Sequence, residues 1–292
     1  MKIGAFELNE PLPDLYQPHA LAILCPWIDV NNVGSATMML LEEHLGAKPL
    51  GKLTKPGNFF DFTRYRPTMR LIEGQYQIEI PNSLIKYAKQ SGGNDFLLLR
   101  LLEPHMQGEV YADSVLGVLR KFGARRYCLI GSMYDAVPHT KPLIVSGRAV
   151  GPVKEELGRL DVQLSSYEGP STITILVSQQ APKYNIEVMS FIVHLPQYVS
   201  LDTDYTGAWR LLKLLSFLYH FPIDLEVVRR EGEKQYAEIN LAMEREPQLK
   251  QAVQQLERYY EAKAGKVEEK PSKLSPEIEE FLREISKHFE QN

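Results

Sequence analysis

Short, largely apolar runs alternate with helical patterns over much of the chain. Residues 21–25, 96–102 and 127–130 are such runs, which are typical of strands buried on both faces of a sheet. Residues 33–45 and 108–122 carry apolar side chains at helical spacing, and a glycine follows each segment where a helix would end. Strand and helix patterns that alternate in this way predict an α/β fold with a layered central sheet.

Shorter patterns predict the remaining elements of this region. Residues 59–62 and 75–80 predict strands around the turn Glu73–Gly74. Residues 171–177 fit a strand, because β-branched residues dominate them, but the preceding Glu-Gly-Pro could also open a helix there. Asn32 is the predicted N-cap of the helix that follows it. Two further segments complete the core, namely a strand at residues 187–193 and a helix at residues 209–219.

Helical patterns take over completely near the C-terminus. We predict an α/β core domain at residues 1–225 and a helical C-terminal extension at residues 226–292, with a charged linker near residues 261–273. The first apolar stripe of the extension is Leu249, Val253, Leu256 and Tyr260. A second stripe follows a helix start at Ser275-Pro-Glu277 and docks either on the core or on a partner protein. Its residues are Ile278, Phe281, Ile285 and Phe289.

Composition and charge narrow the classes of function. Of the 292 residues, 44% are hydrophobic and 24% are charged, as in ordinary soluble proteins. The formal net charge of -4 gives no broad attraction for nucleic acid or an anionic membrane. There is neither a signal-peptide pattern nor an apolar run of the ~20 residues that a membrane helix needs. Cys25 and Cys128 lie in apolar runs and are expected to be buried free thiols, so we predict a cytoplasmic protein.

The sequence lacks the common motifs for cofactors and metals. Its seven histidines are scattered and form no H-E-x-x-H pair, and it has no paired C-x-x-C spacing. It contains no phosphate-binding G-x-x-x-x-G-K-[ST] loop, no G-x-G-x-x-G after the first strand and no G-x-S-x-G nucleophile elbow. We therefore expect neither a metal nor a cofactor.

Polar side chains follow several predicted strands, where open α/β sheets place their ligands. Residues 131–147 are the most informative of these segments. If the strands are parallel, four such loops meet at one edge, and their carboxylates and imidazoles could do general acid/base chemistry. They could equally cap helices and brace turns. The catalytic candidates are Asp135, His139 and His194, and the ligand or interface candidates at this edge are Asp29, Asn32, Glu103, Thr140, Lys141 and Gln197.

Residues 59–67 form a second unusual segment, in which aromatic residues are interleaved with Arg64 and Arg66. The arginines could hold a carboxylate or phosphate, and the aromatic rings could stack on a ligand. Alternatively, the aromatics belong to the core and the arginines pair with Asp61 or with another acid at a subunit interface. The charge around this segment is not basic, so a nucleic-acid role is not expected.

Several motifs occur in order between about residues 20 and 225. They are Pro26-Trp-Ile-Asp29 with Asn32-Val-Gly34, the 59–67 segment, Gly131 with Asp135-Ala-Val-Pro-His-Thr-Lys-Pro142, Tyr167-Glu-Gly-Pro170 and His194-Leu-Pro-Gln-Tyr-Val199. Together they resemble the proteasome assembly chaperone 2 family, especially its prokaryotic branch. Glu168, in the fourth motif, joins the ligand or interface candidates.

The resemblance implies a three-layer α/β fold of the phosphorylase/hydrolase-like kind, with a mixed, mostly parallel central sheet. It also implies self-association, because eukaryotic members act in pairs to build the proteasome α-ring, and archaeal relatives dock on proteasome rings. Those relatives end in a hydrophobic-Tyr-any tail, whereas this chain ends Phe289-Glu-Gln-Asn292. Insertion of the tail into proteasome pockets is therefore not expected. The resemblance supplies no established catalytic residue.

Two hypotheses follow. The first, which we prefer, is a non-enzymatic, self-associating assembly-chaperone-like or scaffold protein, whose partners are its own copies and, through the C-terminal helix, another protein. The second is a small-molecule enzyme, hydrolase or phosphorylase-like, with His139 or His194 as the acid/base and Arg64 or Arg66 holding an anion. The first predicts a large apolar interface between subunits. The second predicts that Asp135, His139 and His194 line one pocket.

Overall fold

A computed structural model describes residues 1–150, 154, 160–245 and 247–264 of the chain. Its strands are β1 (Lys2–Ile3), β2 (Phe6–Leu8), β3 (His19–Cys25), β4 (Lys48–Leu53), β5 (Thr68–Ile72), β6 (Gln75–Glu79), β7 (Leu84–Ala88), β8 (Phe96–Leu102), β9 (Arg126–Asp135), β10 (Val145–Val150), β11 (Gln163–Leu164) and β12 (Glu187–Pro196). Its α-helices are α1 (Val33–His44), α2 (Gly108–Lys121), α3 (Thr174–Gln180), α4 (Tyr205–Tyr219), α5 (Glu226–Glu244) and α6 (Pro247–Ala264).

Ten strands form one sheet in the order β1-β2-β4-β7-β8-β3-β9-β12-β10-β11. The central strands β8, β3, β9 and β12 are parallel to one another. Antiparallel pairs flank them on both sides, and only the edge pair β10–β11 is again parallel. The predicted mixed α/β sheet is confirmed, but its mostly parallel character is wrong, since five of its nine pairings are antiparallel. Strands that are buried on both faces appear in the sequence as continuous apolar runs, and here these are the central, parallel strands. The sequence pattern therefore overstates the parallel share of the sheet.

Apolar clusters on both faces of the sheet make the three predicted layers. The helices α1 and α4 cover one face, where Ile23, Ile130 and Phe191 are buried. The helices α2 and α3 cover part of the other, over Leu99 and Tyr127. Successive residues of β3 enter the two clusters alternately, as the pleat of a strand requires. The phosphorylase/hydrolase-like detail of the fold stays a prediction.

Two short apolar segments fold differently from their patterns. Residues 59–62 are not a strand, because the Pro56 carbonyl oxygen accepts the backbone N–H groups of Phe59 and Phe60, both at 2.9 Å, and closes turns there. The two phenylalanine rings enter the core instead. The ambiguous segment at residues 171–177 contains the start of the helix α3.

The predicted loop at residues 131–147 is shorter than its pattern suggests. The strand β9 continues through Gly131 to Asp135, and β10 begins at Val145. The connection is therefore limited to residues 136–144. Asp135 consequently lies at the end of a strand with a fixed direction rather than on a long loop.

Asp29, not Asn32, caps the helix α1. The Asp29 Oδ1 atom accepts the backbone N–H of Ser35 at 3.0 Å, and its Oδ2 atom accepts the Ser35 hydroxyl at 2.6 Å. Asn32 occupies the N-cap position, but its side chain instead donates to the Asp202 carbonyl oxygen at 2.7 Å. The predicted N-cap position of Asn32 is therefore confirmed, but its side chain does not make the capping hydrogen bond.

The helices α5 and α6 pack on the core through a separate apolar cluster. Met243, Ala252 and Leu256 meet Ala136 and Tyr198 there. The predicted stripe on α6 is confirmed at Val253 and Leu256, which are buried. The helix continues to Ala264 and so covers the start of the predicted linker. The rest of the linker and the stripe at residues 278–289 lie outside the described residues, and the domain division at residue 225 stays a prediction.

Both cysteines are free thiols, as predicted, but only Cys128 is fully buried, and Cys25 is half-buried. Burial raises the pKa of each thiol, of Cys25 and of Cys128, to about 12. Among the helices that the structure describes, none is long and apolar enough to cross a bilayer.

Gly131 permits the turn after β3 to cross close to β9. A Cβ atom at this position would lie 2.2 Å from the Ile28 carbonyl oxygen, which accepts the Ser132 N–H at 2.9 Å. We expect Gly131→Ala to lower the free energy of unfolding by about 1–3 kcal/mol, because backbone must move to admit the methyl group. Urea unfolding followed by circular dichroism measures this loss.

Gly93→Ala is the matched control for that substitution. Its Cβ atom would approach only Gln90 Oε1, at 3.1 Å, which is the end of a flexible side chain. We expect a change within about 0.5 kcal/mol. Equal losses in the two variants would contradict the proposed role of the close crossing.

Candidate functional site

Hydrogen bonds join the loops after β3 and β12 to each other and to the last residues of β9 at one edge of the sheet. The Asn31 side chain donates to the Val199 carbonyl oxygen at 3.1 Å and accepts the Tyr134 hydroxyl at 2.9 Å. The Ser132 hydroxyl donates to the Val30 carbonyl oxygen at 2.7 Å. The carboxyl ends of these three parallel strands therefore meet, as their directions require.

Asp135, His194 and Ser146 form a hydrogen-bonded chain at this edge. His194 Nδ1 lies 2.7 Å from Asp135 Oδ2, and His194 Nε2 lies 2.7 Å from Ser146 Oγ. A carboxylate only accepts hydrogen bonds, so Nδ1 carries the ring proton. When the ring carries only this proton, its Nε2 atom accepts a hydrogen bond from the Ser146 hydroxyl. The predicted candidates Asp135 and His194 are thus brought together, and a serine that the sequence did not indicate completes the chain.

Strand register explains why these three side chains meet. In the parallel pairing of β9 and β12, His194 lies opposite Met133, and Asp135 follows two residues later on the same face. In the antiparallel pairing of β10 and β12, Ser146 lies opposite Ile192, two residues before His194. Side chains two residues apart on a strand share a face. Three neighbouring strands therefore each contribute one member of the chain.

His139 lies apart from this chain, where the core meets the C-terminal helices. Its Nδ1 atom is 2.7 Å from the Tyr198 hydroxyl, which also accepts the His139 backbone N–H at 2.8 Å. The ring packs edge-on against Tyr198 and Tyr236. Burial lowers the pKa of His139, which favours a neutral ring. The predicted grouping of all three catalytic candidates in one pocket is not what the structure shows.

Thr140 and Lys141 hold the helix α6 on the core. The Thr140 hydroxyl donates to Glu257 Oε1 at 2.5 Å, and Lys141 Nζ donates to Glu261 Oε1 at 2.7 Å. The Tyr260 hydroxyl adds a bond to the Pro142 carbonyl oxygen at 2.9 Å. These two candidates make intramolecular contacts, so the segment between β9 and β10 serves as an anchor for the C-terminal helices.

Glu103 links the end of β8 to the segment before α3. Its Oε1 atom accepts the backbone N–H of Ile173 at 2.9 Å. Its Oε2 atom is buried without a hydrogen-bond partner among the described residues. Burial raises the pKa of this carboxyl group. Glu103 is therefore a structural connector with an uncompensated oxygen atom.

In the segment at residues 59–67, the two phenylalanine rings are buried in the core, whereas the charged side chains lie toward the surface. Phe59 and Phe60 are core residues. Asp61 accepts the backbone N–H and the hydroxyl of Thr63, which lowers its pKa, and Arg64 Nε lies 4.0 Å from Asp61 Oδ2. The core interpretation of the two phenylalanines is thus confirmed. The remaining candidates, Arg66, Glu168 and Gln197, are exposed.

A cavity of about 560 Å³ opens on the sheet face that carries the hydrogen-bonded chain. Strands β9, β10 and β12 contribute Leu129, Met133, Ser146 and Ile192 to its lining, and Trp27 lies at its side. None of the three predicted catalytic candidates, Asp135, His139 and His194, lines it, and neither Arg64 nor Arg66 does; of the hydrogen-bonded chain, only Ser146 reaches its wall. A larger, more open depression of about 990 Å³ lies at the amino ends of the strands, around His19 and Phe96, away from the candidate residues.

Ser146 is the functional candidate that sequence reasoning missed. It sits inside a strand, without a nucleophile-elbow motif or any neighbouring polar pattern. The alternation of side chains along β10 could have placed Ser146 on one face of a strand. Only the strand order shows that His194 lies next to it on that face. Within the described residues, no group of three or more His, Cys, Asp or Glu side chains is arranged to hold a metal ion.

The buried carboxyl group of Glu103 makes stability depend on pH. Its pKa is raised in the folded state, so the folded protein binds this proton more tightly than the unfolded chain does. This contribution to stability is complete below the unfolded pKa and is lost as pH rises through the folded pKa. The side chain in Glu103→Gln is neutral at every pH. We therefore expect the free energy of unfolding of this variant to fall less than that of the wild type when the pH is raised from acidic to neutral. Urea unfolding at several pH values measures the difference.

Glu168→Gln is the control for this experiment, because Glu168 is exposed. It should follow the pH dependence of the wild type. If the free energies of unfolding of Glu103→Gln and the wild type change equally with pH, burial of Glu103 does not control its ionisation.

Several solved structures share this fold. A PAC2 family protein from Streptomyces avermitilis aligns with a TM-score of 0.70 and 22% identity, covering 77% of this chain and 95% of that one. A proteasome-assembly chaperone homologue from Mycobacterium tuberculosis aligns with a TM-score of 0.71 and 22% identity, over 80% and 98% of the two chains. PbaB from Pyrococcus furiosus, an archaeal proteasome activator, aligns with a TM-score of 0.64 and 15% identity, over 82% and 99%.

These identities show a shared fold, and the sequence itself shows the family. No curated protein sequence matches the chain significantly. The sequence model of the PAC2 family, however, matches residues 23–243, which run from the end of β3 through the later strands of the sheet and its covering helices to near the end of α5. The chain therefore belongs to the PAC2 family.

Proposed function

We propose that this protein is a self-associating, assembly-chaperone-like scaffold. Two structural neighbours, a proteasome-assembly chaperone homologue and a proteasome activator, support a chaperone-like role. The observation that carries self-association is the β5–β6 hairpin, a two-stranded sheet separate from the main one. All ten of its strand residues are exposed.

One face of this hairpin is apolar. Met69 pairs with Ile78, and Leu71 pairs with Tyr76, so the four side chains share a face. Their exposed fractions lie between 63% for Leu71 and 70% for Tyr76. Isolated hairpins are at best marginally stable in water, and exposed apolar patches mark interaction sites. This face therefore needs a covering surface that the described chain does not supply.

A second copy of the chain is the partner that fits this face. The apolar face carries no charge, whereas the opposite face holds the exposed Arg70–Glu79 pair at 3.7 Å. The four apolar side chains present roughly 400 Å², about half of the ~800 Å² that one partner contributes to a standard interface. A twofold pairing places the same patch on both partners, so an uncharged, apolar patch is compatible with itself.

A second candidate function, a small-molecule enzyme, is favoured by one observation, the Asp135–His194–Ser146 chain beside the cavity. It differs from the predicted enzyme because His139, Arg64 and Arg66 are not part of it. The predicted binding of another protein through the C-terminal helix concerns residues outside the described ones and stays a prediction.

Removing the apolar face of the hairpin should abolish self-association. We expect the wild type to be oligomeric at micromolar concentration and the double variant Leu71→Asn/Tyr76→Asn to be monomeric. Loss of two buried side chains weakens the interface by about 3–6 kcal/mol, or roughly 100-fold or more in Kd. Size-exclusion chromatography with light scattering measures the mass over a dilution series.

The double variant Arg70→Asn/Gln77→Asn is the matched control, because these two residues form the neighbouring cross-strand pair on the opposite face. This control also introduces two asparagine side chains, and its oligomeric mass in solution should equal that of the wild type. A wild type that is monomeric throughout the micromolar range would overturn the proposal. So would equal dissociation of the two double variants.

A further inference from the structure

The hydrogen-bonded chain at the carboxyl edge ends at a hydroxyl group on a cavity wall. Ser146 Oγ is 2.7 Å from His194 Nε2, and Ser146 belongs to the lining of the 560 Å³ cavity. The order of groups is carboxylate, imidazole, hydroxyl. In this order the imidazole can take the hydroxyl proton while the carboxylate fixes its tautomer and stabilises the imidazolium. The same constellation activates serine on unrelated folds, so it is recognised by geometry rather than by position in the chain.

The three groups are held in place by the sheet and not by a mobile loop. Each lies on a strand of the ten-stranded sheet, and the Asp135 carboxylate is oriented further by the Ala136 N–H, which it accepts at 2.7 Å. Ser146 and His194 are largely buried. Groups on rigid elements keep the short distances that proton transfer needs.

The cavity sets the chemical class of the substrate. Its volume is within the range of about 300–1,000 Å³ that small-molecule sites occupy. Leu129, Met133 and Ile192 give it an apolar surface, and Arg148 is the only charged residue among the described ones that line it. The Arg148 guanidinium donates to the Tyr167 carbonyl oxygen and is thereby engaged. The cavity therefore suits an uncharged, apolar group rather than a phosphate or a polyanion.

A hydroxyl donor stands near the serine on the same face. Ser190 lies two residues before Ile192 on β12 and also lines the cavity. Its oxygen accepts the Arg148 backbone N–H at 3.2 Å, which leaves its own proton free to donate. A carbonyl group bound between the two serines would thus meet a nucleophile and a hydrogen-bond donor.

We propose that Ser146 is a catalytic nucleophile for acyl transfer from small, uncharged esters with an apolar acyl group. His194 is its general base, and Asp135 is a positioning residue. The Ser146 oxygen bonds to the ester carbonyl carbon, and its proton moves to His194 Nε2. The bond to the alkoxy group then breaks, and the alcohol leaves with that proton. Water, deprotonated by the same nitrogen, releases the carboxylic acid and restores the serine.

This inference does not depend on self-association. The hairpin leaves the sheet between β4 and β7, whereas the cavity lies on β9, β10 and β12. A protein that is monomeric but acylated at Ser146 would contradict the proposed self-association and support the proposed nucleophile. An oligomer that is inert at Ser146 would do the reverse.

An alkyl fluorophosphonate tests the nucleophile directly. The probe forms a serine–phosphorus bond and releases fluoride, so the full-length protein should gain one adduct in its intact mass. We expect Ser146→Ala to abolish the adduct and His194→Ala to slow its formation by about 100-fold or more. Ser91→Ala, at an exposed serine near the opposite end of the strands, should react like the wild type. An unlabelled wild type, or an adduct that persists in Ser146→Ala, would overturn the proposal.

A thiol at the same position tests the base without relying on the loss of a signal. Iodoacetamide should alkylate Ser146→Cys at neutral pH, because a thiol beside His194 ionises easily. The native thiols, with their pKa values near 12, should react far more slowly. Adding His194→Asn should slow the reaction by about 10-fold or more, and adding Asp135→Asn should shift its pH profile upward. If the rate is unchanged by His194→Asn in a variant that unfolds cooperatively on heating, His194 is not the base.

Discussion

The ten-residue parallel pairing of β9 with β12 is the constraint on which the hydrogen-bonded chain at the carboxyl edge depends. Residues 187–196 pair with residues 126–135 without interruption, which fixes Asp135 relative to His194. On its other side, β12 pairs with β10 and brings Ser146 within reach of the same imidazole. Because successive side chains alternate between faces, a slip of one residue in either pairing would send one partner to the opposite side of the sheet. The chemistry at this edge therefore depends on strand register rather than on loop conformation.

The two uncovered surfaces lie on different parts of the molecule. The hairpin projects from the antiparallel flank, between β4 and β7, while the cavity lies toward the other edge, on β9, β10 and β12. The helices α2 and α3 cover the intervening part of that face. An oligomer built through the hairpin can therefore leave the cavity open to small molecules. The proposed assembly surface and the proposed reactive site therefore do not overlap, so each can be tested by substitution without changing the other.

How much the sequence reveals depends on how many faces of an element are buried. The strands β3 and β8 are covered on both faces and stand out as apolar runs, and α2 shows its helical period and its terminal glycine. Strand β4 offers only two buried residues among six, so its pattern gives no signal. Ser146 was missed for another reason. Its importance lies in a contact with His194, 48 residues away, which strand order creates and local pattern does not contain.

Several residues in the motifs that resemble the family have a structural explanation. Gly131 admits the Ile28 carbonyl, Asp29 caps α1, and His139 is bonded to Tyr198. The fold alone accounts for keeping such residues, so their presence says little about activity. The Asp135–His194 pair is different, because even a partly buried carboxylate–imidazole pair has a desolvation penalty that an apolar pair holding the same strands would not have. What distinguishes it is that its last hydrogen bond reaches a hydroxyl on a cavity. That is the feature of this edge that stability does not explain.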